Sequence, residues 1–143
     1  MSGYEVSNNT FRNVGLGLLI GGGRRNRIHG NRFVDCDFDI HLDNRGMSAT
    51  TKRCHANCTG ADCFKTKLEA LHYQQPPWST RFPELVHIFE DHPCVPVYNH
   101  IVNNTYCHAH SLNLTKPLGF SNVDDAQLGV WLSSMSGNRR DCG

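Results

Sequence analysis

Acidic side chains and one histidine alternate with apolar residues between Val34 and Asp43. The alternation predicts a half-buried β-strand that carries the acidic row on its outer face. Crowded carboxylates raise one another's pKa, and a carboxylate beside an imidazole fixes its tautomer, so such a row suits general acid and base catalysis. The candidate catalytic residues of this row are Asp35, Asp37, Asp39 and His41.

Two histidines further along the chain extend this candidate set. Residues 99–106 repeat the pattern of residues 26–33, which lie 73 positions earlier. If the two segments are neighbouring strands about 4.8 Å apart, His108 lies beside Asp35 and His110 beside Asp37. The set would suit glycoside hydrolysis by two carboxylates or proton abstraction from a uronic acid. Calcium binding by the carboxylates, or an unspecialised solvated surface, would also fit.

A repeat in the sequence predicts how the candidate catalytic residues are positioned. Phe11 precedes Phe33 by 22 residues, and the same shift places the apolar residues of 14–20 onto those of 36–42. One short alternating strand with Asn- and Gly-rich corners is typical of a solenoid, in which each coil must stack on its neighbours to bury its apolar face. Asn9, Asn31 and Asn104 occupy one position in the three copies, which predicts a ladder of asparagines that hydrogen-bond from coil to coil.

Four stretches carry a resemblance to a known family. They are GGGRRN (residues 21–26), FVDC (33–36), IHLDNRG (40–46) and QPPWSTRFPEL (75–85). They resemble the C-terminal coils of right-handed parallel β-helix repeat proteins of the pectin-lyase-like superfamily. The resemblance implies a right-handed parallel β-helix, a solenoid of the β class, and cleavage or epimerisation of acidic or complex polysaccharides.

The domain prediction follows from the number of coils. Residues 1–143 are expected to form a single β-helix domain, present as a fragment, with a partly helical insertion at residues 45–97. Only three coils are recognisable, so we expect the domain to continue from further N-terminal coils, without which the first coil would expose an unpaired strand edge. Residues 137–143 are interpreted as a loose tail.

The insertion begins with a polar, cysteine-rich part. Cys54, Cys58 and Cys63 could form a disulfide knot or, with His55, a zinc site, but their spacing matches no common zinc motif, so no metal is assigned. Residues 67–91 have helical spacing, and Pro83 indicates a helix start.

An aromatic segment at residues 73–82 supplies the candidate substrate-binding residues. Tyr73 and Trp78 could stack on sugar rings while Arg81 grips a carboxylate. Alternatively, Trp78 anchors the insertion and Arg81 pairs with an acid of the adjacent coil. The flanking prolines favour the anchoring role for Trp78.

The amino-acid composition limits the possible binding partners and the compartment in which the protein works. The net charge of +1 gives no reason to expect nucleic acid, and no stretch approaches the roughly 20 apolar residues of a membrane span. Seven cysteines and four N-glycosylation sequons favour a secreted, disulfide-bonded glycoprotein. The expected function is an extracellular polysaccharide-active domain, a glycoside hydrolase or a polysaccharide lyase, without a cofactor unless calcium binds. The alternative is a non-catalytic domain that binds glycans or has a structural role.

Overall fold

The computed structural model describes residues 2–43, 53–54, 58–108, 132–134 and 136–142. The chain divides into two compact units: residues 1–44 with 95–143 form the first unit, and residues 45–94 form the second unit. The strands of the first unit are β1 (Glu5–Ser7), β2 (Thr10–Arg12), β3 (Leu16–Gly21), β4 (Arg27–His29), β5 (Arg32–Val34), β6 (Phe38–Asp43), β7 (Asn99–Val102), β8 (Thr105–Cys107), β9 (Leu132–Ser134) and β10 (Arg139–Arg140).

These strands form three sheets, and every strand pair in them is parallel. The first sheet has the order β1, β4, β7, β9, the second has the order β2, β5, β8, β10, and the third pairs β3 with β6. Phe11 pairs with Phe33 and Phe33 with Tyr106. The predicted repeat registers are therefore confirmed, and the first unit belongs to the β class.

Left-handed backbone recurs at the same three corners of each repeat. The corner residues are Gly3, Arg25 and Tyr98 before the first sheet, Asn8, Gly30, Asn103 and Gly137 between the first and second sheets, and Asn13, Asp35 and His108 after the second sheet. A positive φ turns the chain sharply, and glycine and asparagine adopt it at least cost. The corners thus end the strands and hold successive repeats in one register.

The predicted asparagine ladder is present and is longer than expected. Backbone and side-chain N–H groups of Asn9 donate to the Oδ1 of Asn31, and those of Asn31 donate to the Oδ1 of Asn104. Asn104 donates in turn to Asn138, which lies in the segment interpreted as a loose tail. That interpretation is wrong for residues 137–142, which continue the repeat through β10.

Stacked aromatic rings run through the interior beside this ladder. The ring centroid of Phe33 lies 4.9 Å from that of Phe11 and 5.3 Å from that of Tyr106, and the planes are nearly parallel. Aliphatic side chains including Ile28, Ile40 and Ile101 pack around them. The burial of this apolar surface is the main stabilising contribution to the first unit.

The second unit is built from short helices and disulfides. Its helices are α1 (Phe64–Ala70), α2 (Trp78–Arg81) and a 3-10 helix (Pro83–Glu90), and Pro83 stands in the first turn, as predicted. Cys54 is bonded to Cys94, and Cys58 to Cys63. Of the two alternatives for the cysteine-rich part, the structure therefore favours disulfides. Among the described residues, no helix is long and apolar enough to cross a membrane.

Candidate functional site

The predicted outer row of acids is divided by a corner. Asp35 has φ 52°, so the chain turns after β5 and β6 begins only at Phe38. Asp35 and Asp37 are exposed, whereas Asp39 and His41 retain only 1% and 6% of their accessible surface. The expectation that Asp39 and His41 face solvent is wrong, because residues 39–43 of β6 are all buried and the strand has no solvent-exposed face there.

The two buried members of the row lie in different surroundings. His41 Nε2 is 3.5 Å from a carboxylate oxygen of Asp43, which is itself buried. Asp39 lies opposite Gly17, and a Cβ added to Gly17 would approach the ring of Phe33. Neither Asp39 nor His41 is placed to contact a polymeric substrate from outside.

Asp35 and His108 are brought together as predicted. His108 Nδ1 lies 2.8 Å from Asp35 Oδ1, and both side chains are about half exposed or more. The pair forms because Val34 is in register with Cys107, so the two residues occupy the same corner of adjacent repeats. His110, the predicted partner of Asp37, lies outside the described residues.

A fourth copy of the corner adds residues that the sequence analysis did not select. Arg140 pairs with Tyr106, and the N–H of Asp141 donates to the Tyr106 carbonyl, so Cys142 follows in register beside His108. Cys142 is bonded to Cys107, whose Sγ is 3.4 Å from His108 Nδ1. The signal was available, because GNRR at residues 137–140 repeats GNRF at residues 30–33.

These residues surround a small open pocket of about 250 Å³. Its lining residues are Tyr106, His108, Arg140, Asp141 and Cys142. The imidazole and the guanidinium at this pocket can bind or act on an anionic group, and Asp35 orients the imidazole from behind. We call Asp35, His108 and Arg140 the corner site.

A second histidine–carboxylate pair provides a useful comparison. His29 Nε2 lies 2.8 Å from Glu5 Oε1 across β1 and β4, and the hydrogen bond with His29 lowers the pKa of Glu5. Neither residue lines the pocket at the corner site. The two pairs therefore share contact geometry but differ in their neighbours.

Two other titratable groups are buried and unsuited to catalysis. Burial raises the pKa of the Cys36 thiol, the free cysteine among the described residues, so it stays protonated and a poor nucleophile. Burial, with a smaller contribution from Asp39, raises the pKa of Tyr106. Tyr106 therefore contributes its ring to the core and the pocket wall.

The candidate substrate-binding residues lie in the second unit. Tyr73 is buried, with 7% of its surface exposed, and its ring packs edge-on against Phe89. Tyr73 therefore offers little surface on which a sugar ring could stack, and its substrate-binding role stays a prediction. Trp78 is 38% exposed and stacks on Phe82, and Arg81 is exposed. These two residues remain sterically available to a ligand.

Among the described residues, one group of three potential metal ligands lies within 4.8 Å: Cys107, His108 and Cys142. Its sulfur and nitrogen atoms do not suit calcium, which prefers oxygen ligands. No family model, curated protein or solved structure matches this chain.

Proposed function

We propose that the first unit is part of a right-handed parallel β-helix and that its corner site acts on an acidic polysaccharide outside the cell. The observation that carries the functional proposal is the Asp35–His108 pair at 2.8 Å, beside a pocket that also contains Arg140. The pair can move a proton while the guanidinium binds a sugar carboxylate.

The β-helix proposal is supported by three independent regularities. The strands of each repeat enter successive parallel sheets, the left-handed corners recur in register, and asparagines and aromatic rings stack between repeats. Together these features describe coils that bury their apolar faces only by stacking.

Burial along the chain supports further coils beyond the first one. Asn9 and Leu16 are exposed and Phe11 is half-buried, whereas the equivalent Asn31 and Phe33 in the next coil are fully buried. The outer edges of β1, β2 and β3 have no partner strand in the described part of the chain. A further coil with an asparagine and an aromatic in the same register would cover this edge and extend both ladders.

Proton abstraction from a uronic acid is the chemistry that fits the corner site best. Arg140 would bind the sugar carboxylate, which makes the adjacent C–H bond more acidic. His108, oriented by Asp35, would accept that proton. The electron pair left behind would form a ring C–C double bond as the glycosidic C–O bond on the next carbon breaks, and the leaving oxygen would then take up a proton.

The extracellular assignment is supported by the cysteines and the sequons. Cys54–Cys94, Cys58–Cys63 and Cys107–Cys142 are disulfides, which persist in oxidising compartments. Asn8 and Asn103 begin sequons and stand exposed at repeat corners, where a glycan would not disturb the core.

A non-catalytic glycan-binding role is the second candidate. It is favoured by the burial of Asp39 and His41, which leaves only Asp35 and Asp37 of the predicted acidic row exposed. Cleavage of the polymer distinguishes the catalytic function from the glycan-binding function.

The test measures cleavage and binding of uronic-acid polymers by the purified chain. Reducing ends report any cleavage, and the ultraviolet absorbance of an unsaturated uronate reports elimination alone. We expect His108→Asn to abolish elimination, because asparagine tolerates the left-handed corner but is not a base. Arg140→Ala should weaken binding by about 1.5–3 kcal/mol, the range for a charged hydrogen bond.

Matched controls are available within the same unit. His29→Asn removes the other paired histidine, and Arg139→Ala removes the neighbouring arginine, so neither should change activity. Binding without cleavage would favour the second candidate. If the wild-type chain neither cleaves nor binds these polymers, both candidates are wrong.

A further inference from the structure

The Cys107–Cys142 disulfide lies within a set of side chains that resembles a metal site. The ligand atoms of Cys107, His108 and Cys142 lie within 4.8 Å of one another. His108 Nδ1 is 3.4 Å from Cys107 Sγ and 2.8 Å from Asp35 Oδ1. Two sulfurs and one imidazole nitrogen therefore converge at one corner of the first unit, and the Asp35 carboxylate lies beside that nitrogen.

We propose that this corner is a latent zinc site, closed as a disulfide and opened by a dithiol reductant. In the open form, the thiolates of Cys107 and Cys142 and Nδ1 of His108 would be three protein ligands, and a water molecule would take the fourth position. Thiolate and imidazole ligands in a tetrahedral arrangement are those that zinc prefers. The inference does not depend on the proposed glycan activity.

The backbone already brings the ligands to the required separations. In a tetrahedral site with Zn–S near 2.3 Å and Zn–N near 2.0 Å, sulfur and nitrogen lie about 3.5 Å apart and two sulfurs about 3.8 Å apart. The Cα atoms of Cys107 and Cys142 are 4.7 Å apart, and Cys142 is exposed. Once the S–S bond is broken, rotation of the Cys142 side chain can separate the two sulfurs without movement of the strands.

The opening step balances as an ordinary thiol–disulfide exchange. A thiolate of the reductant attacks the exposed Cys142 sulfur and displaces Cys107 as a thiolate. The second thiol of the reductant then releases Cys142 and closes the reductant's own disulfide. Two electrons pass to the protein, and zinc takes the place of the protons that the free thiols would otherwise hold.

The experiment titrates the full reduced chain with cobalt and then with zinc. Cobalt coordinated by thiolates absorbs by charge transfer, with an intensity that reports the number of thiolates, and zinc displaces it. We expect one equivalent of metal bound by two thiolates. Binding should be lost in Cys107→Ser/Cys142→Ser and retained in Cys58→Ser/Cys63→Ser, which removes a different disulfide.

The roles of His108 as a ligand and of Asp35 as its neighbour are tested with substitutions that the corner tolerates. His108→Asn and Asp35→Asn preserve a residue type already present at the equivalent Asn13, and each should weaken zinc binding by at least about 10-fold. Asn13→Gly, at the same corner of the first repeat, should leave zinc binding unchanged. Metal binding that survives Cys107→Ser/Cys142→Ser, or that is insensitive to His108→Asn, would overturn the proposal.

Full reduction breaks all three disulfides, and far-ultraviolet circular dichroism shows whether the reduced chain stays folded. If it unfolds, a second variant tests the site without a reductant. Cys142→His opens the corner without a reductant, so Cys54–Cys94 and Cys58–Cys63 stay intact. The introduced imidazole stands in for the second thiolate. This variant should bind one cobalt with a single-thiolate spectrum that His108→Asn removes, and absence of binding here would also overturn the proposal.

Discussion

Asp35 and His108 show how a single backbone feature makes a functional pair. Each residue adopts a left-handed conformation, with φ of 52° and 54°, in which aspartate and histidine, like asparagine, are enriched. The equivalent corner residue of the first repeat, Asn13, adopts the same conformation. The proximity of Asp35 and His108 follows from the register of β5 and β8, since no other contact is needed to bring them together.

Tyr106 gives a prediction at the residue scale. Burial raises its pKa above the ordinary value of 10.0, so the folded state keeps the phenol protonated at a pH where the unfolded state loses the proton. The stabilising effect is therefore complete below about pH 10 and is lost as the pH rises toward the folded-state pKa. The loss should reach about 1.4 kcal/mol for each pH unit above 10.

The measurement is denaturant unfolding at a series of pH values from about 8 to 11. Tyr106→Phe is the matched variant, because Phe33 already occupies the equivalent position one repeat earlier. The variant should lose less stability over this pH range than the wild type. Identical pH dependence in the two proteins would mean that Tyr106 is not a buried, protonated group.

Strand β3 illustrates an element whose packing depends on the absence of side chains. A Cβ added at Gly17 would lie 2.5 Å from the Asp39 carbonyl oxygen and 2.9 Å from the Phe33 ring, whereas one at Gly15 would meet only an Asp37 oxygen at 3.7 Å. The backbone at Gly17 therefore packs so closely against β6 and the Phe33 ring that no side chain fits between them.

Two alanine substitutions test this packing. Gly17→Ala should destabilise the chain by about 1–3 kcal/mol, because the methyl group overpacks the contact with Phe33 and β6. Gly15→Ala should lie within about 1 kcal/mol of the wild type, since the site is open and alanine restricts the unfolded chain. Thermal unfolding of both variants measures the difference, and equal stabilities would refute the close approach of β3 to Phe33.

For the individual strands, the sequence predicted the register of pairing better than the burial of the side chains. Asn31 and Phe33 recur with the same residue types at Asn9 and Phe11, so the alignment of repeats was readable. The burial of Asp39 was not readable, because alternation shows which residues share a face of a strand but not whether that face is covered. The fourth repeat was missed since Arg140 replaces the aromatic that marks the others.

The first unit as a whole is held together mainly by contacts distant in sequence. The asparagine ladder, the aromatic stack and the sheets connect repeats that are 22, 73 or 34 residues apart. Residues 45–94 are inserted between two repeats and form a compact unit with their own disulfides. The corner site therefore depends on the stacking of the three repeats that carry Asp35, His108 and Arg140.

Nuclear magnetic resonance mapping of a uronic-acid oligosaccharide onto the labelled chain distinguishes the corner site from the other surfaces of the molecule. We expect chemical-shift changes at Asp35, His108 and Arg140 on titration, with little change at the comparable pair Glu5 and His29. His108→Asn should reduce these changes while the remaining spectrum stays that of the folded chain. Shift changes centred on Glu5 and His29 or on Trp78, with none at the corner site, would show that the corner site does not bind uronic acids.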